Sequence, residues 1–349
     1  MKYAKDTRPK GVANKAAEVL VEALPWIKNI TGKTVVIKYG GSAMVDEQLR
    51  ADVMNDIVLL KIVGVNPVIV HGGGKAITEA MDFLQLPVEF KDGQRVTTPE
   101  AMDLVRTVLM GKVNQELVEA LNEHGNFAVG VSGADAGVIV AEQASPELGR
   151  VGRITRINSP LLDDLVAGDY IPVVASVALG EDGGFYNVNA DMVAGHIAAA
   201  IGAHKVVFLT DVDGLYENFE NKDSLISNLT LFEAQYMVEN NIVSTGMIPK
   251  LKSCIHALDS GVFRAHIING ITPHSLLLEL LTSTGVGTTM HSTEESCTFD
   301  THPLGNFASK LLENRQHAAS ATPNNKISKR AKEGRPWALS RNSSLNPHT

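Results

Sequence analysis

Three glycine-rich turns are the parts of this 349-residue chain best suited to chemistry. They are Gly40-Gly41, Gly72-Gly73-Gly74 and the loop 211–214, and each follows a short apolar run that is typical of a buried strand. Glycine lets backbone N–H groups approach an anion closely, and a helix that follows adds its positive end. Because ligands of open α/β sheets bind at the carboxyl ends of the strands, the three turns together predict a phosphate or carboxylate site.

These turns do not match the standard nucleotide-binding motifs. Gly32-Lys33-Thr34 resembles the end of a P-loop, but Ile27 stands where the earlier glycine is required, and the triplet precedes a strand instead of following one. Gly74-Lys75 is followed by Ala76 and not by Ser or Thr, and no GxGxxG follows a predicted strand. A phosphate site in this chain is therefore of another kind.

A hydrolase is an alternative from a different class of enzyme. His71-Gly72-Gly73-Gly74 also matches the oxyanion-hole element of some lipases and esterases. Residues 130–134 come close to the G-x-S-x-G turn of those enzymes, but Ala134 replaces the final glycine. The run that follows, residues 137–143, predicts a strand where that turn requires a helix, so the esterase is the weaker reading.

Strands and helices alternate along the chain and must position the glycine turns. Apolar residues at helical spacing predict helices from about Glu47 to Val63 and from about Pro99 to His124. This alternation predicts an α/β fold, a three-layer α/β/α sandwich around a mainly parallel central sheet. An alternating run split by Asp92-Gly93 predicts a hairpin, so the pattern is not a pure Rossmann arrangement.

Composition and charge exclude several classes of protein. The chain is 44% hydrophobic and 20% charged, which is typical of a soluble globular protein, and no apolar run reaches the roughly 18 to 20 residues that a membrane span needs. A net charge of -8 argues against broad binding to nucleic acid or to an anionic membrane. Cys254 and Cys297 alone cannot build a disulfide framework or a CxxC metal site. We expect a cytoplasmic protein with no nucleic-acid partner, no membrane partner and no dedicated metal site.

The two ends of the chain differ from its body. Residues 12–30 predict an amphipathic helix, which Pro25 should kink or divide. Residues 293–349 lose hydrophobic periodicity and fill with Ser, Asn, Pro, Lys and Arg, so we expect a mostly disordered, mildly basic tail.

Six ordered blocks of sequence resemble the amino acid kinase family. They are KYGGSAM, VIVHGGGKAI, DGQRVT, YNVNAD, LTDVDGLY and TGMIPKLKSC, and the likeness covers about residues 30–292. The resemblance implies two lobes, an N-lobe (31–201) that holds an amino-acid substrate and a C-lobe (202–292) that holds ATP. It is strongest to the branch that uses ATP and Mg²⁺ to phosphorylate N-acetyl-L-glutamate in arginine biosynthesis and is inhibited by L-arginine.

The resemblance implies catalytic roles for three residues. Phosphoryl transfer requires the alignment of two anions and positive charge on the transferring group. Lys38 would supply that charge from the N-lobe and Lys250 from the C-lobe, both also contacting ATP. Asp191 would hold both lysines, since one carboxylate can accept hydrogen bonds from two ammonium groups.

Further residues are expected to bind the substrates. In the family's N-lobe, Gly73 and Gly74 would offer backbone N–H groups, Arg95 would grip the α-carboxylate with its planar fork, and Asn187 would bond the acetamide end.

For ATP, the resemblance implies contacts from Gly40, Gly41, Thr210, Asp211 and Gly214. Mg²⁺ would be bound mainly by phosphate oxygens and waters.

The resemblance also implies regulation and assembly. His274, Glu279 and Gly285 would contact L-arginine, with Glu279 as the partner of the guanidinium group. The N-terminal helix (1–30) would join subunits, so we expect a homo-oligomer, either a dimer or a hexamer built as a trimer of dimers. The sequence offers no support for a nitrogen-signalling regulator as a partner.

Alternatives stay open at this point. Other family members phosphorylate glutamate, aspartate, carbamate, uridylate or aminoadipate-type acids. Arg95 and the NVNAD block favour an N-acylated amino acid, but the shape of the pocket determines which of these acids is the acceptor. A non-catalytic arginine sensor is the alternative outside enzymes, and the joint presence of Lys38, Asp191 and Lys250 argues against it.

Overall fold

The computed structural model describes residues 10–44, 46–91 and 93–292. These residues all belong to one compact unit, Met1–Thr301. None of the described helices has the length and apolar character that a membrane crossing requires. The predicted disordered tail, 293–349, lies outside the described residues.

Helices and strands alternate along the described residues, as the hydrophobic periodicity predicted. The helices are α1 (Lys10–Ile30), α2 (Glu47–Ile62), α3 (Gly74–Phe83), α4 (Pro99–Val108), α5 (Gln115–Asn122), α6 (Pro160–Ala167), α7 (Ala190–Ala200), α8 (Leu231–Glu239), α9 (Ile248–Asp259) and α10 (Ser275–Leu281). The strands are β1 (Thr34–Tyr39), β2 (Asn66–His71), β3 (Phe90–Lys91), β4 (Gln94–Arg95), β5 (Ala128–Ser132), β6 (Ile139–Gln143), β7 (Gly152–Ile157), β8 (Ile171–Ala175), β9 (Val177–Gly180), β10 (Phe185–Asn187), β11 (Lys205–Thr210), β12 (Asn228–Thr230), β13 (Arg264–Asn269) and β14 (Thr288–His291).

The main sheet of the described chain has eight strands in the order β12-β14-β13-β11-β1-β2-β8-β5. Every neighbouring pair is parallel except β13 and β14. This confirms the predicted α/β class and its mainly parallel central sheet. Strand β1 lies between β2 and β11, so the chain turns that follow these three strands meet at one edge of the sheet.

The central strands are apolar because helices cover both faces of a parallel sheet. Val35, Val36 and Ile37 of β1 are fully buried, as are Val68 and Ile69 of β2. Their burial anchors the strands whose carboxyl ends carry the glycine turns.

The described residues also form two smaller sheets. Strands β10, β9, β6 and β7 form a four-stranded sheet in that order. Strands β3 and β4 form an antiparallel hairpin with Phe90 opposite Arg95, which confirms the hairpin predicted at Asp92-Gly93. Gly93 has a φ of 76°, the left-handed conformation that this turn requires of glycine.

Two helices differ from the sequence prediction. Helix α1 continues through Pro25, so of the predicted kink or division the division does not occur. The helix packs against α10, and Ile30 is buried. The single helix predicted from Pro99 to His124 is interrupted by a π-helical segment, Leu109–Asn114. The chain stays helical on both sides of this segment, so the prediction was wrong only about the geometry of residues 109–114.

Candidate functional site

A cavity of about 1110 Å³ lies at the carboxyl ends of β1 and β2. The sequence-predicted residues that line it are Lys38, Gly40, Gly41, Gly73, Gly74, Arg95, Asn187 and Asp191. Other parts of its wall were not suggested by the sequence: Met44, Phe90, Leu109, Lys112, Glu116 and Ile271. The wall therefore combines backbone N–H donors, cations and apolar side chains around one space.

Lys38, Asp191 and Lys250 meet at the edge of this cavity. The Nζ atom of Lys38 lies 3.0 Å from Oδ1 of Asp191, and the Nζ atom of Lys250 lies 3.3 Å from Oδ2. The side chains are 12%, 8% and 19% exposed for Lys38, Asp191 and Lys250. The structure thus brings together three residues that are far apart in the sequence.

The first turns of α7 and α9 set this arrangement. The side chain of Asn189 caps α7 by accepting hydrogen bonds from the N–H groups of Asp191 and Met192, at 2.8 and 3.2 Å. Helix α9 lies so close to α7 that a Cβ on Gly195 would fall 2.3 Å from Oγ of Ser253. The Ser253 hydroxyl also donates to the backbone oxygen of Asp191, at 2.5 Å. These contacts fix the helix that carries Lys250 against the helix that carries Asp191.

The electrostatics of this cluster favour an anion. Burial on its own would raise the pKa of Asp191, but the ammonium groups of Lys38 and Lys250 more than offset it and hold this pKa below its usual value. Two ammonium groups around one carboxylate leave one net positive charge beside the cavity. That charge is suited to a phosphoryl or carboxylate group.

Two glycines lie beside Lys38, and glycine suits each position for a different reason. A Cβ on Gly40 would lie 2.7 Å from the Nζ atom of Lys38, so glycine leaves room for the ammonium group. Gly41 has a φ of 70°, which glycine adopts without strain. On the other side of the cavity, Gly74 begins α3 and Gly73 precedes it. No described residue accepts a hydrogen bond from the N–H of either glycine, so both can bind an anion.

Arg95 is held at the cavity wall by neighbouring residues. Its Nη2 atom donates to the backbone oxygen of Gly74 at 2.9 Å and to Oγ1 of Thr78 at 2.6 Å. The guanidinium carbon lies 4.7 Å from the centre of the Phe90 ring. Burial lowers the pKa of Arg95, although the carboxylate of Asp82 acts in the opposite direction. A guanidinium group stays charged in proteins, so this buried cation is suited to a carboxylate.

Asn187 ends β10 and faces the same cavity. Its Nδ2 atom lies 3.3 Å from Oγ1 of Thr97, to which it donates a hydrogen bond. This hydrogen bond fixes the orientation of the Asn187 side-chain amide. A fixed amide is suited to recognise an amide group of a ligand.

Thr210, Asp211 and Gly214 do not line this cavity. The Thr210 hydroxyl donates to the backbone oxygen of Val212 at 2.8 Å and accepts from its N–H at 3.0 Å. Gly214 approaches Thr288 so closely that a Cβ would lie 2.4 Å from Oγ1 of Thr288. These residues shape the turn after β11, which lies next to β1 and hence near Lys38.

Glu279 is buried within α10 and is surrounded by donors. One oxygen accepts from Nδ1 of His266 at 2.7 Å and from Oγ1 of Thr289 at 2.9 Å. The other accepts from the N–H groups of Val286 and Gly287, at 2.7 and 3.1 Å. Burial alone would raise the pKa of Glu279, but these hydrogen bonds and His266 lower it to about 2. The carboxylate is ionised and engaged inside the protein.

Gly285 and His274, the other two residues predicted to contact L-arginine, have different neighbours in the structure. Gly285 adjoins Glu279, since a Cβ on Gly285 would lie 2.7 Å from its Oε2 atom. His274 instead pairs with Asp56 of α2, with 2.7 Å between Nδ1 and Oδ1. His266, which the sequence analysis missed, is the imidazole next to Glu279; it lies within a buried strand, where an inward histidine gives no local signal.

Comparisons with known proteins identify the family of the chain. The model of the amino acid kinase family matches residues 33–269. The acetylglutamate kinase of Caldanaerobacter subterraneus subsp. tengcongensis is 51% identical over 274 residues, which cover 78% of this chain and 92% of that protein. The acetylglutamate kinase of Halothermothrix orenii is 48% identical over 277 residues, covering 78% of this chain and 96% of that protein.

Solved structures show the same fold. N-acetylglutamate synthase from Neisseria gonorrhoeae, complexed with coenzyme A and N-acetyl-glutamate, superposes with a TM-score of 0.70 at 22% identity and covers 86% of this chain and 70% of its own. The protein smu.665 from Streptococcus mutans UA159 superposes with a TM-score of 0.62 at 29% identity and covers 74% and 99%. The family predicted from the six sequence blocks is confirmed, and the chain belongs to the amino acid kinase family.

Proposed function

We propose that this protein is an ATP-dependent kinase that transfers the γ-phosphoryl group of ATP to the γ-carboxylate of N-acetyl-L-glutamate. The product is N-acetylglutamyl 5-phosphate, an intermediate of arginine biosynthesis, and we place the reaction in the cytoplasm. The observation that carries the proposal is the pair of ammonium groups, Lys38 and Lys250, on either side of Asp191 at the cavity edge. The acetylglutamate kinases that are about half identical to the chain support the choice of acceptor.

The proposal orients the acceptor by its three polar groups. Arg95 binds the α-carboxylate from the hairpin side, and Asn187 bonds the acetamide group. The γ-carboxylate then points toward Lys38, with the N–H groups of Gly73 and Gly74 as further donors. This assignment gives each polar group of the acceptor a partner from the cavity wall.

The chain's own residues act on the reaction by position and charge. A carboxylate is already an anionic nucleophile, so no general base is required. Lys38 and Lys250 neutralise the charge that develops on the transferring phosphoryl group. Asp191, which its lowered pKa keeps ionised, holds the two ammonium groups apart and aligned.

ATP occupies the part of the site nearer to β11 in this proposal. Gly40 and Gly41 contact its phosphates, and Thr210, Asp211 and Gly214 shape the loop beside it. Mg²⁺ accompanies ATP and is bound mainly by phosphate oxygens and water.

We extend the proposal to inhibition by L-arginine at Glu279 and Gly285. Their proximity and the packing of α1 on α10 support a regulatory site there. Because both oxygens of Glu279 already accept hydrogen bonds, a guanidinium group must displace one of these donors. Titration of arginine into the activity assay should lower the rate, and an unchanged rate at millimolar arginine would contradict this part of the proposal.

We also propose that α1 joins subunits of a homo-oligomer, a dimer or a hexamer. Apolar side chains of α1 are exposed in the single chain, including Val19, Leu20 and Leu24. Light scattering should give a mass of at least two chains, and the double substitution L20D/L24D should reduce that mass. A monomeric wild-type protein would contradict the proposal.

The esterase alternative has little support. Ser132 is followed by a 3-10 turn and by β6, so the strand–turn–helix that a nucleophile elbow requires does not form. Within the family, glutamate, aspartate and aminoadipate-type acids are the competing acceptors.

An acyl-phosphate assay tests the proposed function. The protein is incubated with ATP, Mg²⁺ and one acceptor, and hydroxylamine converts any acyl phosphate into a coloured hydroxamate. We expect N-acetyl-L-glutamate to give a kcat/KM at least about a hundred times that of glutamate, because a site that hydrogen-bonds the acetamide leaves its buried polar groups unpaired against an acceptor that lacks it. Equal or faster turnover of glutamate, aspartate or aminoadipate would contradict the assignment of the acceptor.

A further inference from the structure

A buried histidine contacts the glycine turn from behind. His71 ends β2 and is fully buried. Its Nδ1 atom lies 3.0 Å from the backbone oxygen of Gly72, and its Nε2 atom lies 2.9 Å from Nδ2 of Asn114. The same Nδ2 atom donates to the backbone oxygen of Val173 at 2.8 Å. His71 therefore sits in a short chain of hydrogen bonds that ends at the cavity.

This chain of hydrogen bonds fixes the proton of the imidazole. Burial lowers the pKa of His71 to about 4, so at neutral pH the ring carries a single proton. The Asn114 amide nitrogen only donates, so Nε2 of His71 must be the acceptor. The proton then lies on Nδ1 and is donated to the oxygen of Gly72.

The orientation of one peptide group follows from that bond. The peptides of the described residues are all trans, and in a trans peptide the C=O and N–H point in opposite directions. The oxygen of Gly72 is held toward the buried ring, so the N–H of Gly73 points away from it. Gly72 and Gly73 both line the cavity, and no described residue accepts from that N–H.

The π-helical segment supports the same turn. Asn114 is its last residue, and Leu109 and Val113 pack on Gly73, where a Cβ would lie 2.7 Å from Cδ2 of Leu109 and 3.2 Å from Cγ2 of Val113. Single π turns are rare and are frequent at functional sites. Here the wide turn lets one segment contact both His71 and Gly73.

We infer that His71, fixed by Asn114, is a positioning residue that orients the Gly72–Gly73 peptide so that the N–H of Gly73 donates to the anionic acceptor. The inference rests on the proposed function, since the acceptor is the carboxylate substrate. It assigns a purpose to two buried polar residues that contact neither substrate.

A matched pair of substitutions tests the inference. In H71N the amide nitrogen takes the place of Nδ1 and can still donate to Gly72, whereas in H71Q it takes the place of Nε2 and cannot. We expect H71Q to lower kcat/KM for acetylglutamate by about 10- to 100-fold, because misdirecting one preorganised donor costs somewhat less than removing it. H71N should be at least fivefold more active than H71Q, and the KM for ATP should change by less than about twofold in both.

A purely structural role for His71 predicts a different result. Both variants would then lose activity and Tm to the same extent, and KM for both substrates would move together; that outcome overturns the inference. If H71Q does not fold, N114L can be used instead. This substitution removes the amide that fixes the proton of His71 on Nδ1 and leaves the imidazole ring in place. It should lower kcat/KM for acetylglutamate by about three- to tenfold, and full activity of N114L would also overturn the inference.

Crystal structures separate this inference from the proposed function. A wild-type protein that forms no acyl phosphate from acetylglutamate would refute the function. The orientation of the Gly72–Gly73 peptide can still be compared between wild type and H71Q. We expect the Gly72 oxygen to leave its position in H71Q, and an unchanged peptide would overturn the inference whatever the activity.

Discussion

Asp191 and Glu279 are two buried carboxylates that the chain stabilises in different ways. The pKa of each lies below its usual value in spite of burial. Asp191 is held by the ammonium groups of Lys38, which lines the cavity, and Lys250, and these two side chains are 12% and 19% exposed. Glu279 is held by two backbone N–H groups, one hydroxyl and one imidazole, all within the protein.

The difference separates a carboxylate whose partners can bind a further anion from one whose hydrogen bonds are satisfied within the protein. Each ammonium group has three donors, and the ion pairs of Lys38 and Lys250 with Asp191 do not require all of them. The Asp191 cluster can therefore bind another anion. At Glu279 the donors are already matched to the carboxylate, so its main contribution is to tie residues 286–289 to α10 and β13.

The largest expected effect is the loss of one lysine at Asp191. K38M and K250M should each lower kcat by about 10³-fold, or ~4 kcal/mol in the activation barrier, because the transferring group loses one of its two cations. K252M is the matched control, since Lys252 is exposed on the same helix, and it should keep the wild-type rate. Steady-state kinetics with the hydroxamate assay measure all three; normal turnover of K38M would show that the chemistry lies elsewhere.

The next effect concerns Arg95 in the same cavity. R95K keeps the charge but loses the planar fork. We expect KM for acetylglutamate to rise about 50-fold while KM for ATP stays within about twofold. Equal increases for both substrates would mean that Arg95 maintains the fold of the site and does not contact the acceptor.

At Glu279 the comparison predicts a loss of stability. E279Q should lower the free energy of unfolding by about 2 kcal/mol near pH 7, since a buried charged acceptor loses several hydrogen bonds. The folded-state pKa of about 2 lies below the ordinary value of 4.5, so this stabilisation is present above pH 4.5 and is lost as the pH falls toward 2. Urea unfolding at several pH values measures it.

The matched control for Glu279 is E239Q, because Glu239 is exposed at the end of α8. It should leave the free energy of unfolding unchanged. A variant E279Q as stable as E239Q would mean that the buried carboxylate is not a structural element.

The smallest effect is expected at the pair of Asp56 and His274. His274 is 55% exposed but its partner Asp56 is only 1% exposed, so H274Q, whose amide can still donate to Asp56, should cost about 1 kcal/mol. Asp56 hydrogen-bonds His274 and raises its pKa, so the contribution is present at pH 6.5 and is lost as the pH rises through that raised value. Burial raises the pKa of Asp56 to about 6, so the pair also weakens below pH 6. A stability difference that is the same at pH 6.5 and pH 9 would contradict this assignment.

Local signals in the sequence predicted most of the fold. β-branched runs that end at paired glycines marked β1 and β2 correctly, and Asp92-Gly93 marked the hairpin. Family resemblance, not spacing, pointed to Lys38, Asp191 and Lys250, and the structure brings their side chains together.

Tertiary packing decided what the sequence did not show. His274 was predicted to contact L-arginine together with Glu279; in the structure His274 pairs with Asp56 of α2, and His266 of β13 pairs with Glu279. Nothing in the spacing of residues 99–124 marks the π-helical segment that carries Lys112 to the cavity. Such contacts depend on how elements meet and not on local periodicity.

A crystal structure with ADP, Mg²⁺, N-acetyl-L-glutamate and aluminium fluoride tests the central claim most directly. Aluminium fluoride takes the place of the transferring phosphoryl group. We predict that the Nζ atoms of Lys38 and Lys250 lie within hydrogen-bonding distance of its fluorines, with Asp191 still between them. A complex in which either ammonium group points away from the fluoride would contradict the account.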